Sequence, residues 1–401
     1  GILMKHIKLA VIADDFTGGA DAASFLKRKH ANVVLLTGIP QTLPDCDCVV
    51  FALKIRSIPV SDALKKVHDV LLFLDQYHVE HLYYKYCSTF DSTPKGNIGP
   101  VMDFLLDYYD LPYSILCPSL PVNGRTVENG ILYVNHQKLS ESPLKDHPLN
   151  PMWDSYIPKI MELQSKYPCF VLKRNESLTS FLEERMRSDS KFYIVPDYSD
   201  SQDAKRIVSC FGDNFLYSGG SGLLEFLFDF SSPEKIFQTS FDNRTIILCG
   251  SCSKATRLQI QHFSENYECL SINESSDDLT YITSLIDEQK SPLLIYSDAV
   301  LKNFKTEKKS SALYTAARKI ESILSSIAVY AKDHNYHKII VAGGETSGAV
   351  TSRLGYTAFY IGQEICPGVP VLIPEEDEHL QLILKSGNFG GKDFFLKAMN
   401  M

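Results

Sequence analysis

Short, unbroken apolar runs alternate along the chain with amphipathic stretches, and polar, glycine-rich clusters recur where the runs stop. Residues 7–13 form the first run; it ends in Asp14 and Asp15, passes Gly18 and Gly19, and gives way to a helical pattern near Ala20. This order predicts a buried strand, a tight turn and a helix, the way α/β proteins place polar groups at a sheet edge. Further strands are expected at 33–38, 48–57 and 81–87, with a helix at 61–77 capped by Ser61. A helix at 101–109, a strand near 113–121 and a loop or hairpin at 123–135 come next. The polar, proline-containing stretch 136–156 reads as an excursion from the sheet and a candidate subunit contact of a homo-oligomer. Strands are expected again at 169–173 and 191–200, and an apolar helix from about Gly222.

The same strand, turn and helix order returns later in the chain. Residues 245–249 lead into Gly250-Ser251-Cys252-Ser253 and a helix carrying Gln259, and 338–342 lead into Gly343 and Gly344. A long amphipathic helix is expected at 311–334, and strands with glycine-rich turns close the sequence. The low-pattern segment 231–243 separates the halves. The reading is an α/β protein of two domains, 1–235 and 236–401, with mainly parallel sheets and an active site in the interdomain cleft.

Composition narrows the partners. With 401 residues, 44% of them hydrophobic, and a formal charge of −8, the chain can bury two cores, and it argues against nucleic acid as the main ligand. No long uncharged apolar stretch predicts a membrane helix and no secretory leader pattern is present, so a cytoplasmic protein is expected. The ten cysteines follow no metal-site or disulfide spacing. Cys249 and Cys252 have the spacing of a redox pair, but without a second such pair reduced thiols are the simpler reading.

Candidate chemistry gathers at the strand exits. Asp14 and Asp15 can orient hydroxyls, act as a base or hold a cation, and either can instead cap the following helix. The exit after 81–87 supplies Ser88, Thr89, Asp91, Ser92, Thr93, Lys95 and Asn97, a donor and acceptor set suited to a polyhydroxy or carboxylate ligand or to a solvated loop. Arg125 can fork onto a carboxylate or serve as a surface charge. Downstream, the backbone N–H groups of Ser218 to Ser221 can receive an anion or form a plain packed turn, and Ser251 and Ser253 can contact phosphate or cap helices. Gly343, Gly344 and Thr346 suit close approach of a phosphate, and Glu345 is either a magnesium ligand or a cap. Gly387, Asn388, Gly390 and Gly391 suit a compact ligand-binding turn, with Lys385 or Lys392 offsetting phosphate charge. No nucleotide fingerprint of the Walker or dinucleotide type accompanies the glycine-rich turn at 218–222.

IADDFTGGADAA, YKYCSTFDSTPKGNIGP, GSCS, AGGETSGAV, IGQEICPGVPV and LKSGNFGGKDFF, in this order over nearly the whole chain, resemble the four-carbon acid sugar kinase family. The CSTFDST form, with Cys87, Phe90 and Pro94, looks like its 3-oxo-tetronate branch rather than the threonate or erythronate kinases, which carry a KTDSTLRG-like form. The resemblance implies an N-terminal acid-sugar domain, a C-terminal ATP domain and ATP- and Mg2+-dependent phosphorylation of the 4-hydroxyl of 3-oxo-tetronate. It places Asp14, Asp15, Ser88, Asp91, Ser92, Lys95, Asn97 and, more weakly, Arg125 on the substrate side, with Asp15 or Asp91 as the base. It places Ser251, Ser253, Gly343, Gly344, Glu345, Thr346, Gly387, Asn388 and Gly390 near ATP. A D-threonate or D-erythronate kinase is the alternative within the family, and a non-catalytic sugar-acid sensor the alternative outside it.

Overall fold

The computed structural model describes residues 4–90, 92–146, 154–237, 244–251, 253–298 and 311–401. The chain divides into two compact α/β units, Gly1–Gln41 with Asp45–Pro233, and Thr42–Pro44 with Glu234–Met401. In the first, β1 (His6–Ala13), α1 (Phe16–Arg28), β2 (Val33–Leu36), β3 (Cys48–Ala52), α2 (Val60–Leu74), β4 (His78–Lys85) and α3 (Ile98–Tyr108) precede β5 (Tyr113–Ile115), β6 (Arg125–Glu128), β7 (Ile131–Val134) and β8 (Gln137–Lys138). They are followed by α4 (Ile157–Gln164), β9 (Cys169–Leu172), α5 (Leu178–Arg185), β10 (Phe192–Pro196), α6 (Ser201–Phe211), β11 (Leu216–Gly219) and α7 (Leu224–Leu227).

The main sheet of this unit runs β11-β4-β1-β3-β2, every pair parallel. Its strands are continuous apolar runs because helices cover both faces. From β1 the chain crosses toward β2, and from β3 it crosses back to β4. With right-handed crossovers, α1 and α2 therefore lie on opposite faces, and the carboxyl ends of β1 and β4 flank the point where the winding reverses. A parallel sheet β5-β10-β9 and an antiparallel sheet β6-β7-β8 complete the unit.

The second unit contains β12 (Thr245–Cys249), α8 (Lys254–Ser264), β13 (Cys269–Ile272), α9 (Thr280–Asp287), β14 (Leu293–Ser297), α10 (Ser311–Asp333), β15 (Lys338–Ala342), α11 (Gly344–Leu354), β16 (Ala358–Cys366), β17 (Val369–Pro374), β18 (Gln381–Lys385) and α12 (Phe394–Met399). Its strands follow the order β16-β17-β18-β15-β12-β14-β13, parallel from β18 to β13 and antiparallel through β17 and β16. The winding reverses between β12 and β15. Ile260 and Phe263 of α8 and Phe394 and Phe395 of α12 close the core over one face.

Several local expectations are corrected. Helix α1 starts at Phe16 rather than near Ala20, because Asp15, in extended conformation, caps it through a 2.7 Å bond from Gly18 N. Gly18 and Gly19 thus lie inside the helix, and the use of Gly19 is close packing: a Cβ there would stand 2.9 Å from the Ala52 Cβ. Helix α2 begins after Pro59 without a side-chain cap, so Ser61 does not serve as one. Strand β3 stops at Ala52 rather than 57. The apolar segment after Gly222 makes only the single turn α7, because Phe228 turns to extended backbone and stacks on His81 with ring centroids 4.4 Å apart. The polar exit of β10 is structural. Asp197 accepts the Asn129 and Arg174 N–H groups at 2.8 and 2.9 Å, and Asp200 caps α6.

Replacing Gly19 by Val forces methyl groups into the α1–β3 contact, and overpacking of this kind typically costs about 1–3 kcal/mol. A denaturant titration of Gly19→Val is expected to show a lower midpoint with an unchanged slope; an unchanged midpoint would refute the close-packing role.

Candidate active site

The carboxyl end of β1 delivers Asp14 and Asp15 to the reversal point of the first sheet. Asp14 is 2% exposed. Its backbone is fixed on both sides: the N–H donates to the Lys85 carbonyl, and the carbonyl accepts from the Ile55 and Arg56 N–H groups. Its carboxylate receives Arg56 in a two-pronged contact, Nε at 3.0 Å and Nη2 at 2.9 Å. Burial raises the Asp14 pKa above its ordinary value, and Arg56 works against that rise. Arg56 also reaches Asp15 Oδ2 at 3.3 Å. Asp15 therefore combines both roles open to it in the sequence: one oxygen caps α1, and the half-exposed carboxylate faces the cluster.

Sequence reading missed Arg56 and Lys85. Both follow the rule that located the aspartates, since Arg56 lies just past β3 and Lys85 ends β4. Both fall inside the apolar runs 48–57 and 81–87, whose pattern predicts strand through each position. Lys85 is 5% exposed and its Nζ stands 3.3 Å from the point a Gly18 Cβ would occupy.

The loop after β4 is built differently from a freely accessible polar cluster. Phe90 is fully buried at φ 51°, a conformation costly for a bulky residue, and its ring meets Tyr86 edge-on at 5.3 Å. Ser92 is buried and accepts from Gln164 Nε2, which also donates to the Thr93 carbonyl at 2.6 Å. Asn97 is buried as well, its Nδ2 donating to the Ile55 and Ile58 carbonyls at 2.5 and 2.8 Å. Asn97 thereby ties this loop to the segment carrying Arg56. Ser88 is half-buried and Lys95 is exposed. Asp91 lies outside the described residues. Arg125 begins β6 in the small antiparallel sheet and spends Nη1 on the Asn123 carbonyl of its own turn.

In the second unit the carboxyl ends of β12, β15 and β18 bring most of the expected residues together. Ser253 caps α8, accepting from Thr256 N and donating to the Gly387 carbonyl at 2.5 Å. Ser251 Oγ accepts from Ser253 N at 3.1 Å. A Cβ on Gly387 would fall 2.3 Å from Ser251 Oγ, one on Gly250 would fall 1.9 Å from Thr346 Oγ1, and Gly343 sits at φ 121°. Gly343 and Gly344 open α11 with no side-chain cap; Thr346 is buried in the first turn, and Gly344 and Glu345 are exposed. The helix thus starts at Gly344, with Glu345, Thr346 and Ser347 inside its first turn. Its first-turn N–H groups and the surrounding glycines form a cradle that suits phosphate. Lys385 is buried below it, donating to Thr256 Oγ1 at 3.0 Å and the Gly387 carbonyl at 2.9 Å, and burial lowers its pKa to about 8. Asn388 is exposed, and so is Lys392. Gly390, at φ 84°, packs on Phe394, and the carbonyls of 389–391 accept from Gln259 Nε2. Cys249 is buried in β12, where desolvation pushes its thiol well up, and Cys252 lies outside the described residues. Among the described residues no group of three or more His, Cys, Asp or Glu side chains is arranged to hold a metal. Nor is any described helix long and apolar enough to cross a membrane.

Comparison with known proteins matches residues 9–227 to the family model of a sugar-binding N-terminal domain and residues 246–395 to that of a nucleotide-binding C-terminal domain. The 3-oxo-tetronate kinase of Haemophilus influenzae is 36% identical, with 98% of this chain and 99% of that protein covered. The enzyme of the same name from Escherichia coli is 36% identical over 90% of this chain and 99% of its own length. Among solved structures, a Salmonella typhimurium protein described as a candidate tRNA synthase superposes with TM-score 0.86 at 34% identity, covering 98% of both chains. A Haemophilus influenzae protein gives 0.83 at 32%, covering 98% of this chain and 99% of that one.

Removing Arg56 while leaving its buried partner should cost about 3–5 kcal/mol. In Arg56→Met the Asp14 pKa rises further, so the folded state binds this proton more tightly than the unfolded chain. Stability then falls as pH rises from the ordinary carboxylate range toward the new folded pKa. Thermal unfolding is expected to show a larger deficit at pH 8 than at pH 5; a deficit independent of pH would refute this role of the pair. In the second unit, Gly387→Val should weaken binding of a fluorescent ATP analogue by at least about tenfold, since its side chain would push Ser251 and Ser253 out of place. Unaltered affinity would exclude this turn from the nucleotide site.

Proposed function

The chain belongs to the four-carbon acid sugar kinase family, and we propose that it is a 3-oxo-tetronate kinase, transferring the γ-phosphoryl group of ATP to the 4-hydroxyl of 3-oxo-tetronate to give the 4-phosphate and ADP. The observation that carries this reading is the division of labour between the units. One presents a buried cluster of carboxylates and cations at its reversal point, and the other a glycine-lined cradle of N–H groups at its own. The first suits a small polar acid, the second a nucleotide polyphosphate. A sensor of sugar acids would have no need of the second.

The nucleotide suits the second unit because Gly250, Gly343 and Gly387 let Thr346 and Ser251 close in, while Gly344, with nothing within 4 Å of its Cβ position, leaves the helix start open to a phosphate. Ser251, Ser253, Gly343, Gly344 and Thr346 would hold its phosphates through N–H and hydroxyl groups, with the Gly387–Gly390 turn as the neighbouring wall and Lys385 beneath. Bound nucleotide supplies the phosphoryl group, and magnesium would neutralise charge on its oxygens. Magnesium retains several waters and needs one or two protein carboxylates at most, a demand Glu345 in the first turn of α11 can meet.

In the first unit, Asp15 is proposed to orient the 4-hydroxyl and accept its proton, a role shared as a candidate with Asp91. The Gly18 N–H and Arg56 fix the Asp15 carboxylate in place without burying it fully. Asp14 acts through Arg56, holding the guanidinium in register. In-line transfer requires the hydroxyl against the γ-phosphorus, so positioning and charge stabilisation, more than covalent chemistry, set the rate.

A coupled ADP-release assay on 3-oxo-tetronate, D-threonate and D-erythronate, with the product position checked, is expected to rank the oxo acid first. A preference for threonate or erythronate would transfer the assignment to those kinases, and binding without turnover would favour the sensor. Asp15→Asn should lower kcat by about 10²–10⁴-fold with acid binding retained. A kcat near the wild-type value would remove Asp15 as the base.

A further inference from the structure

Among the described residues three lysines are buried, at 1%, 1% and 5% exposure: Lys338, Lys385 and Lys85. Two have their ammonium groups satisfied by the protein. Lys338 Nζ donates to the carbonyls of Ala398, Met399 and Met401 at 2.9, 3.0 and 2.6 Å, closing the end of α12, and Lys385 Nζ donates to Thr256 Oγ1 and the Gly387 carbonyl. Lys85 has no hydrogen-bond acceptor or ion-pair partner among the described residues. Asp14 lies near enough to interact with it electrostatically, but that carboxylate is committed to Arg56. The Lys85 stem is packed while its ammonium keeps access to solvent, and a cation held in this way with no protein acceptor is placed to meet a ligand.

The position of Lys85 says what kind of ligand. It ends β4 at the reversal point of the first sheet, facing the start of α1 beside Asp15, and glycine at 18 leaves open the space a Cβ would take from both. The other cations assigned to this region are occupied or displaced. Arg56 is neutralised by Asp14 and Asp15, Arg125 donates within its own turn, and Lys95 is exposed. We infer that the Lys85 ammonium binds the carboxylate of the four-carbon acid and so selects acids over neutral sugars of the same length. The inference rests on the kinase reading above and names the residue that gives it its substrate class.

The test compares wild-type protein with Lys85→Met on 3-oxo-tetronate and on erythrulose, which has the same carbonyl and terminal hydroxyl with a neutral CH2OH in place of the carboxylate. A charge-assisted bond of this kind corresponds to about 10- to 100-fold in affinity. Lys85→Met should therefore raise the KM for the acid by about that factor and abolish the wild-type preference for acid over erythrulose. The KM for ATP and the turnover of erythrulose should stay as they are. Calorimetric titration with 3-oxo-tetronate reads the same loss without turnover. Ligand-free Lys85→Met should melt no lower than wild type, because the charge removed has no partner; should it fail to fold, Lys85→Arg, which keeps the charge, should bind the acid more tightly than Lys85→Gln. Equal loss of kcat on both substrates with an unchanged acid KM would overturn the inference and put the charge on the transferring phosphoryl group. Unchanged acid affinity in Lys85→Met would also overturn it. If wild type binds the acid in a Lys85-dependent manner but phosphorylates no four-carbon acid, the kinase reading falls and the Lys85 assignment stands; a wild type that binds no four-carbon acid overturns both.

Discussion

The ion pair between Asp14 and Arg56 organises the first unit. A carboxylate withdrawn from water at the end of a central parallel strand is unfavourable unless a matched donor meets it, and a guanidinium contacting both oxygens is the geometry that does so. The pair also fixes backbone, since the Asp14 carbonyl accepts the N–H groups of Ile55 and Arg56 while its N–H bonds to Lys85. Three strand exits are thereby held in register by one residue. Asn97 extends the arrangement by tying the loop after β4 to the carbonyls of Ile55 and Ile58. The consequence is a pre-formed polar site in which Asp15 and Lys85 remain available, because Arg56 and Asp14 have largely used each other.

The cradle of the second unit would meet an anion by another route. Its cradle is lined by backbone and small side chains, and the fully buried cation beneath it is tied to a hydroxyl and a carbonyl. The difference matches the ligands proposed for each unit. A triphosphate presents many oxygens along its length, for which a row of N–H groups at a helix start and glycine turn is suited, whereas a small acid presents one carboxylate and a few hydroxyls that individual side chains must locate. Both sites sit where the winding of a parallel sheet reverses, because only there do neighbouring loops diverge to opposite faces and leave a crevice.

Some residues singled out for ligand contact also take part in holding the site's shape. Ser92 is bound by Gln164, Gly390 packs on Phe394, and Arg125 lies in the small antiparallel sheet. The residue types were read correctly as polar or flexible, but composition does not distinguish a group that touches a ligand from one that supports the loop beside it. Gln164 and Gln259, which perform much of that support, carry no local signal at all, since their partners are 65 to 72 and 130 to 132 residues distant.

The α/β class and the polar exits of β1, β4, β12 and β15 were determined by the sequence alone, because strands buried on both faces must be unbroken apolar runs and their ends must carry the turn-forming and polar residues. The motifs in their order were likewise sufficient to point to the family. Tertiary structure decided the rest. It ended β3 at Ala52 and so turned Arg56 from a strand residue into the partner of Asp14, 42 positions away. It drew both glycines into α1, Gly19 against Ala52 and Gly18 beside Asp15 and Lys85, and it left the packed Lys85 without an acceptor among the described residues. These outcomes depend on which strands become neighbours, and pairing between distant segments is not encoded in the periodicity of either one.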